Sequence, residues 1–176
     1  MAKFVPLTGC QKELWLSAKA ALSDYAETSI RGCYHIDAML DPELLRQAIR
    51  STLHFTPLPA ASLCQDEEEP RFAVGELHEP DFRVLDATSQ PDPAAAADRM
   101  IDEFFEEPVE NPLIRYALVL TGPSTCIVAI KCSHIVLDGL AIFFHIGVIA
   151  NIYTSLAHGE IPDLGEPAPC DEAYLE

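Results

Sequence analysis

The residues best suited to chemistry in this 176-residue sequence stand close together, at Lys131, Cys132, Ser133, His134, Asp138 and Gly139. A neutral imidazole takes a proton from an attacking amine or hydroxyl, which makes His134 the candidate base. Asp138 can cap backbone N–H groups or pair with an arginine, and Gly139 lets the main chain pass close to a substrate or adopt positive φ. The same residues also suit a satisfied loop histidine followed by an ordinary Asp-Gly turn. Two other chemistries fit less well. Cys132 and His134 would make half a zinc site, but no second pair with metal-ligand spacing occurs. A Cys132 thiol nucleophile would sit beside His134 in sequence rather than opposite it, and alternate strand positions face apart, so packing is the expected role of Cys132.

The elements around this stretch must present His134. Residues 126–132 form an apolar run that reads as a strand ending near Cys132, which carries His134 onto the lip of a sheet. Residues 113–120 read as its antiparallel neighbour across Gly122, Pro123 and Ser124. Residues 140–157 are apolar on nearly every side. His145, Asn151, Thr154 and Ser155 interrupt that run, and no Lys or Arg flanks it, so a buried helix is expected rather than a membrane span. Gly159 stops it.

Earlier in the chain, Thr8 and Gln11 have capping-box spacing and open a helix over residues 9–25, with Leu14, Trp15, Ala18, Ala21 and Leu22 at helical intervals. Residues 29–36 alternate as a strand, with His35 on its surface. Asp41 and Pro42 start a second helix, which Pro57 and Pro59 end. The acidic run at residues 65–70 reads as the tip of a hairpin with strands at 61–64 and 71–74. A further strand is expected at 82–85. Pro93 opens a third helix with Ala97, Met100, Ile101, Phe104 and Phe105 inward. Residues 161–176, rich in proline and acids, read as a linker, leaving 1–160 as one domain.

Composition bounds the function. With 49% hydrophobic residues, the chain can bury a core. A net charge of −17, from 28 acidic and 11 basic residues, makes nucleic acid and anionic membranes poor partners. The six cysteines follow no secretory signal and form no Cys-x-x-Cys pair, which fits reduced thiols and a cytoplasmic location. The sequence contains no Gly-rich phosphate loop, Gly-x-Ser-x-Gly elbow, internal repeat or heptad run. The mixture of strands and helices predicts an α+β two-layer sandwich, a mixed sheet with helices on one face.

Ser133-His134-Ile135-Val136-Leu137-Asp138-Gly139 resembles the His-His-x-x-x-Asp-Gly signature of the condensation domains of nonribosomal peptide synthetases, within the chloramphenicol-acetyltransferase-like acyltransferases. Pro6, Leu7, Thr8, Gln11, Leu14 and Trp15 are similar to the family's opening segment. Phe104 and Phe105, followed by Pro112, Leu113, Arg115 and Leu118, are similar to its helix end and "PLxRxxL" strand. The segment closing with Ile152, Tyr153 and Leu156 looks like the helix after the motif. Two departures stand out. Ser133 replaces the first histidine. The stretch from Leu53 through His54 to Pro59 stands where the family usually reads Arg-His-Glu-x-Leu-Arg-Thr, so the arginine that would pair with Asp138 is absent. Arg31, Arg50, Arg115 or backbone donors must serve instead.

The resemblance implies the N-terminal lobe of a two-lobed acyltransferase that forms an amide between an acyl or aminoacyl carrier-protein thioester and an amine. It implies His134 as the catalytic residue and Asp138 as its structural support, with Ser133 and Gly139 against the substrate. It implies no metal and no cofactor bound by the chain itself. The 4'-phosphopantetheine arm would come from peptidyl or acyl carrier proteins, which are the expected partners together with the missing C-terminal lobe. Two alternatives stay open: a stand-alone acyltransferase using acyl-CoA, and a non-catalytic module that docks carrier proteins.

Overall fold

The computed structural model describes residues 3–20, 29–64, 69–75, 79–109 and 111–165. In chain order these form β1 (Lys3–Pro6), α1 (Gly9–Ala20), β2 (Ser29–Ile36), α2 (Pro42–Phe55), a 3₁₀ turn (Leu58–Ala60), β3 (Ser62–Cys64), β4 (Arg71–Val74), β5 (Phe82–Asp86), α3 (Pro93–Glu106), β6 (Ile114–Gly122), β7 (Thr125–Ser133) and α4 (Ala141–Ala157). The end of the first expected helix, the hairpin tip at 65–68 and most of the expected linker lie outside the described residues. Residues 161–165 carry no regular element.

Local chemistry sets the helix starts. Asp41 Oδ1 accepts from the N–H groups of Glu43 and Leu44 at 2.8 and 3.1 Å, and Pro42, which has no N–H to satisfy, opens α2. Asp92 caps α3 in the same way, accepting from Ala95 N–H, with Pro93 behind it. At the far end of α4, Gly159 takes φ 72°, the left-handed conformation expected of a helix stop.

The larger sheet has the order β2-β7-β6-β5, with β7 antiparallel to β2 and β6, and β5 parallel to β6. It is the mixed sheet of an α+β fold, as expected. The helices, however, lie on both of its faces rather than one. Tyr116, Leu118, Val128, Ile130 and Cys132 join Ile49, Leu53, Ile149 and Ile152 under α2 and α4. The intervening Ala117, Val119, Ile127 and Ala129 meet Ala97, Ile101 and Phe104 of α3. A strand covered on both faces reads as an unbroken apolar run, which is how residues 126–130 read.

A smaller sheet, β1-β4-β3, stands apart with its own apolar cluster. Beside the expected hairpin of β3 and β4, it takes in β1, which the sequence reading left unassigned. Its cluster combines Val5, Leu7, Trp15, Leu63 and Phe72 with Leu113, Ile135 and Val136. The turn after β7 is therefore packed between the two sheets' cores.

Candidate active site

β7 ends at Ser133, at the rim where β2, β5 and β6 begin. Ser133 N–H still bonds across the sheet to Leu113 O at 2.9 Å, and the chain then turns. Three bonds fix that turn. Val136 N–H donates to Ser133 O at 3.2 Å, Ile135 N–H to Ser133 Oγ at 3.4 Å, and Gln11 Nε2 to Ile135 O at 2.8 Å. Ser133, Ile135 and Val136 are 2%, 5% and 9% exposed, whereas His134 between them is exposed. The buried neighbours anchor the turn and leave the imidazole outside it.

The four residues that the resemblance assigns to the site fall into two environments. His134, Asp138 and Gly139 are exposed on one short segment, and Ser133 is buried with its hydroxyl engaged by the turn. Gly139 does not use positive φ. A Cβ built on it would meet nothing within 4 Å, so the space beside it is open.

Asp138 Oδ1 accepts from Ala141 N–H at 2.7 Å and Leu140 N–H at 2.9 Å, so it caps the first turn of α4. Those two donors, Ala141's first, hold its carboxyl below the usual carboxylate range, with a smaller contribution from charge on His134. None of the three arginines considered serves Asp138. Arg115 bonds Asp81 and Glu107, Arg50 pairs with Glu79 at 3.0 Å, and Arg31 lies over the Phe105 ring. Its partners among the described residues are backbone N–H groups.

Burial pushes the Cys132 thiol up to about 12, which keeps it protonated and unfit as a nucleophile. Among the described residues no group of three or more His, Cys, Asp or Glu could hold a metal. No described helix is long and apolar enough to cross a membrane.

Three features of the site's support went unread in the sequence. Gln11 registered as a capping residue and as part of the opening segment, and neither reading showed its bond to Ile135, 124 positions away. The Tyr116 hydroxyl lies 2.6 Å from His145 Nε2, a buried pair joining β6 to α4. Desolvation lowers the His145 pKa to about 4, so the ring stays neutral in the core. Lys131, fully buried between Arg31 and Arg115 in the sheet register, donates to Phe105 O at 2.6 Å and to Glu107 O at the end of α3. Burial, followed by those two arginines, lowers its pKa.

The helices and the mixed sheet, with a histidine turned out at its rim, make an α+β fold that matches half of a two-lobed condensation-domain fold. More narrowly, the chain has the fold of the condensation domains of nonribosomal peptide synthetases. It resembles the first condensation domain of the CDA synthetase, with TM-score 0.78 and 25% identity over 93% of this chain and 43% of that one. It also resembles a variant of the starter condensation domain of rhizomide synthetase, solved with C8-CoA and Leu-SNAC. There the TM-score is 0.82 and the identity 24%, over 96% of this chain and 38% of that one. Among curated proteins it is 26% identical, over 162 residues, to an isonitrile lipopeptide synthase of Streptomyces coeruleorubidus. The chain spans 11% of that synthase's length. No family model matches.

Proposed function

We propose that this chain is the N-terminal lobe of a condensation domain that joins an acyl or aminoacyl group, held as a thioester on one carrier protein, to an amine held on another. The observation that carries the proposal is the exposure of His134 on a turn whose neighbours are all buried, at the rim where four strands converge. The amine nitrogen attacks the thioester carbonyl, the C–N bond forms, and the C–S bond breaks. His134 accepts the proton from the attacking nitrogen and returns it to the departing thiolate. General-base help of this kind contributes about 10²- to 10⁴-fold. Holding two tethered substrates together supplies much of the rest. Asp138 fixes the start of α4 and, through it, the segment carrying His134. Open space beside Gly139 admits the phosphopantetheine arm of a carrier protein.

The rest of the domain belongs against α4. Leu140, Phe143 and Phe144 are 66%, 65% and 68% exposed, directly after Gly139. The chain supplies about two fifths of the similar condensation domains, and the remainder would cover these side chains and close a channel over His134. The working protein would be cytoplasmic, and this lobe alone would not turn over.

One observation favours a second reading of the donor. The similar starter domain was solved with C8-CoA, so a free acyl-CoA could replace the donor carrier protein here. Mass spectrometry of a loaded acceptor carrier protein, incubated with the two-lobed domain and each candidate thioester, shows which donor is consumed. In the same assay His134→Ala is expected to lower product formation at least 100-fold. Unchanged product formation would leave a non-catalytic docking module.

A further inference from the structure

Gln11 makes two bonds that no other capping residue could make together. Its Oε1 accepts from Thr8 N–H at 2.9 Å, and Thr8 Oγ1 accepts from Gln11 N–H at 3.3 Å, which completes a reciprocal capping box at the start of α1. Glutamate performs that duty equally well, because only an acceptor oxygen is needed. The amide's other half is what glutamate lacks: Nε2 donates to Ile135 O at 2.8 Å. Ile135 follows His134 directly, and its side chain packs in the same cluster as Trp15 of α1. One side chain thus joins the opening helix to the turn that presents the imidazole.

We propose that Gln11 is a positioning residue for His134, holding the Ile135–Val136 peptide, and with it the turn that begins at His134, in place from α1 through its side-chain amide. The proposal deepens the reading of His134 as the base, yet its structural content can be tested without activity. Ser133 braces the turn from inside the sheet, and Gln11 braces it from the side of α1. Removing the donor frees the Ile135 carbonyl and lets the turn tilt the ring.

Three variants of the full 176-residue chain separate positioning from capping. Gln11→Glu keeps the acceptor for Thr8 and sets a carboxylate against the Ile135 carbonyl. Thr8→Ala breaks the capping box and keeps the bridge. By NMR at pH 7, Gln11→Glu should speed amide exchange at Ile135 and Val136 about tenfold, as loss of one bond to the turn allows. It should shift the His134 ring signals and leave those of buried His145 unchanged. Thr8→Ala should lower the melting temperature and do neither. Unaltered exchange and ring signals in Gln11→Glu would overturn the proposal, as would faster exchange and shifted His134 ring signals in Thr8→Ala. If Gln11→Glu does not fold, Gln11→Met, which has no donor, decides by the same two readouts. A His134→Ala enzyme that stays active would sink the catalytic reading and leave this result standing.

Discussion

The carboxylate of Asp138 answers two backbone donors at the start of α4, and Arg31, Arg50 and Arg115 are all engaged elsewhere. Its value therefore lies in accepting hydrogen bonds more than in its charge. Asp138→Asn, which keeps an acceptor oxygen, should preserve most of the thermal stability, whereas Asp138→Ala should lose clearly more. Thermal melts of the three proteins at pH 7 check the order, and equal losses would show that charge matters instead. Because folding lowers this carboxyl's pKa, the stability it adds is present above about pH 3.8 and fades as pH falls through the folded value. That His134, Asp138 and Gly139 share one exposed segment was legible in sequence, because the end of the apolar strand run and the Asp-Gly pair mark it. The burial of Ser133 was not legible, since whether a serine faces solvent or its own turn depends on which face of β7 points inward. The backbone donors to Asp138 were one of two options left open by the missing arginine, and only the position of the α4 start decides between them.

Between elements, the pair Tyr116 and His145 ties β6 to the helix that follows the motif. A histidine in an apolar helix gives no sign from sequence that it meets a tyrosine 29 positions earlier. Lys131 was equally hidden, because lysine suggests solvent until the end of α3 is seen to offer two carbonyls. By contrast, α2 was legible at its start, where Asp41 and Pro42 write the cap into the chain. β1 was not, being four residues whose partners in β4 lie 65 to 71 positions away. The buried pair carries a pH dependence. Unfolded, His145 takes up a proton near pH 6.5, and folded it does so only near 4, so the unfolded state binds more protons in between. Stability should hold above pH 6.5 and fall as pH drops toward 4, by about 3 kcal/mol at most. Urea titrations across that range test it. His145→Leu should flatten the slope, at a cost of about 1–3 kcal/mol for the stranded Tyr116 hydroxyl. Adding Tyr116→Phe should recover part of that cost, because both partners are then apolar. A slope that survives in His145→Leu would place the titrating group elsewhere.

At the scale of the molecule, the chain buries one side of α4 and leaves the other apolar and open. Ile142, His145, Ile149 and Ile152 point into the main core, while Leu140, Phe143 and Phe144 lie in solvent beside the candidate site. A helix apolar all round belongs in an interior, and on this lobe it has only half of one. The sequence showed the all-round hydrophobicity, yet it could not show which residues the sheet would leave uncovered, because the helix's rotation is set by packing against α2. Substituting Phe143→Ser and Phe144→Ser together removes no contact from the buried face. The doubly substituted lobe should therefore keep its far-UV circular dichroism and its urea midpoint, and should self-associate less at high concentration. Mixed with the second lobe that the proposed function calls for, it should fail to form the complex expected of the unsubstituted chain in analytical ultracentrifugation. In the condensation assay proposed above, product formation should fall along with the complex. If the substituted lobe assembles and turns over normally, the second lobe sits on another surface, and the exposed phenylalanines need a different explanation.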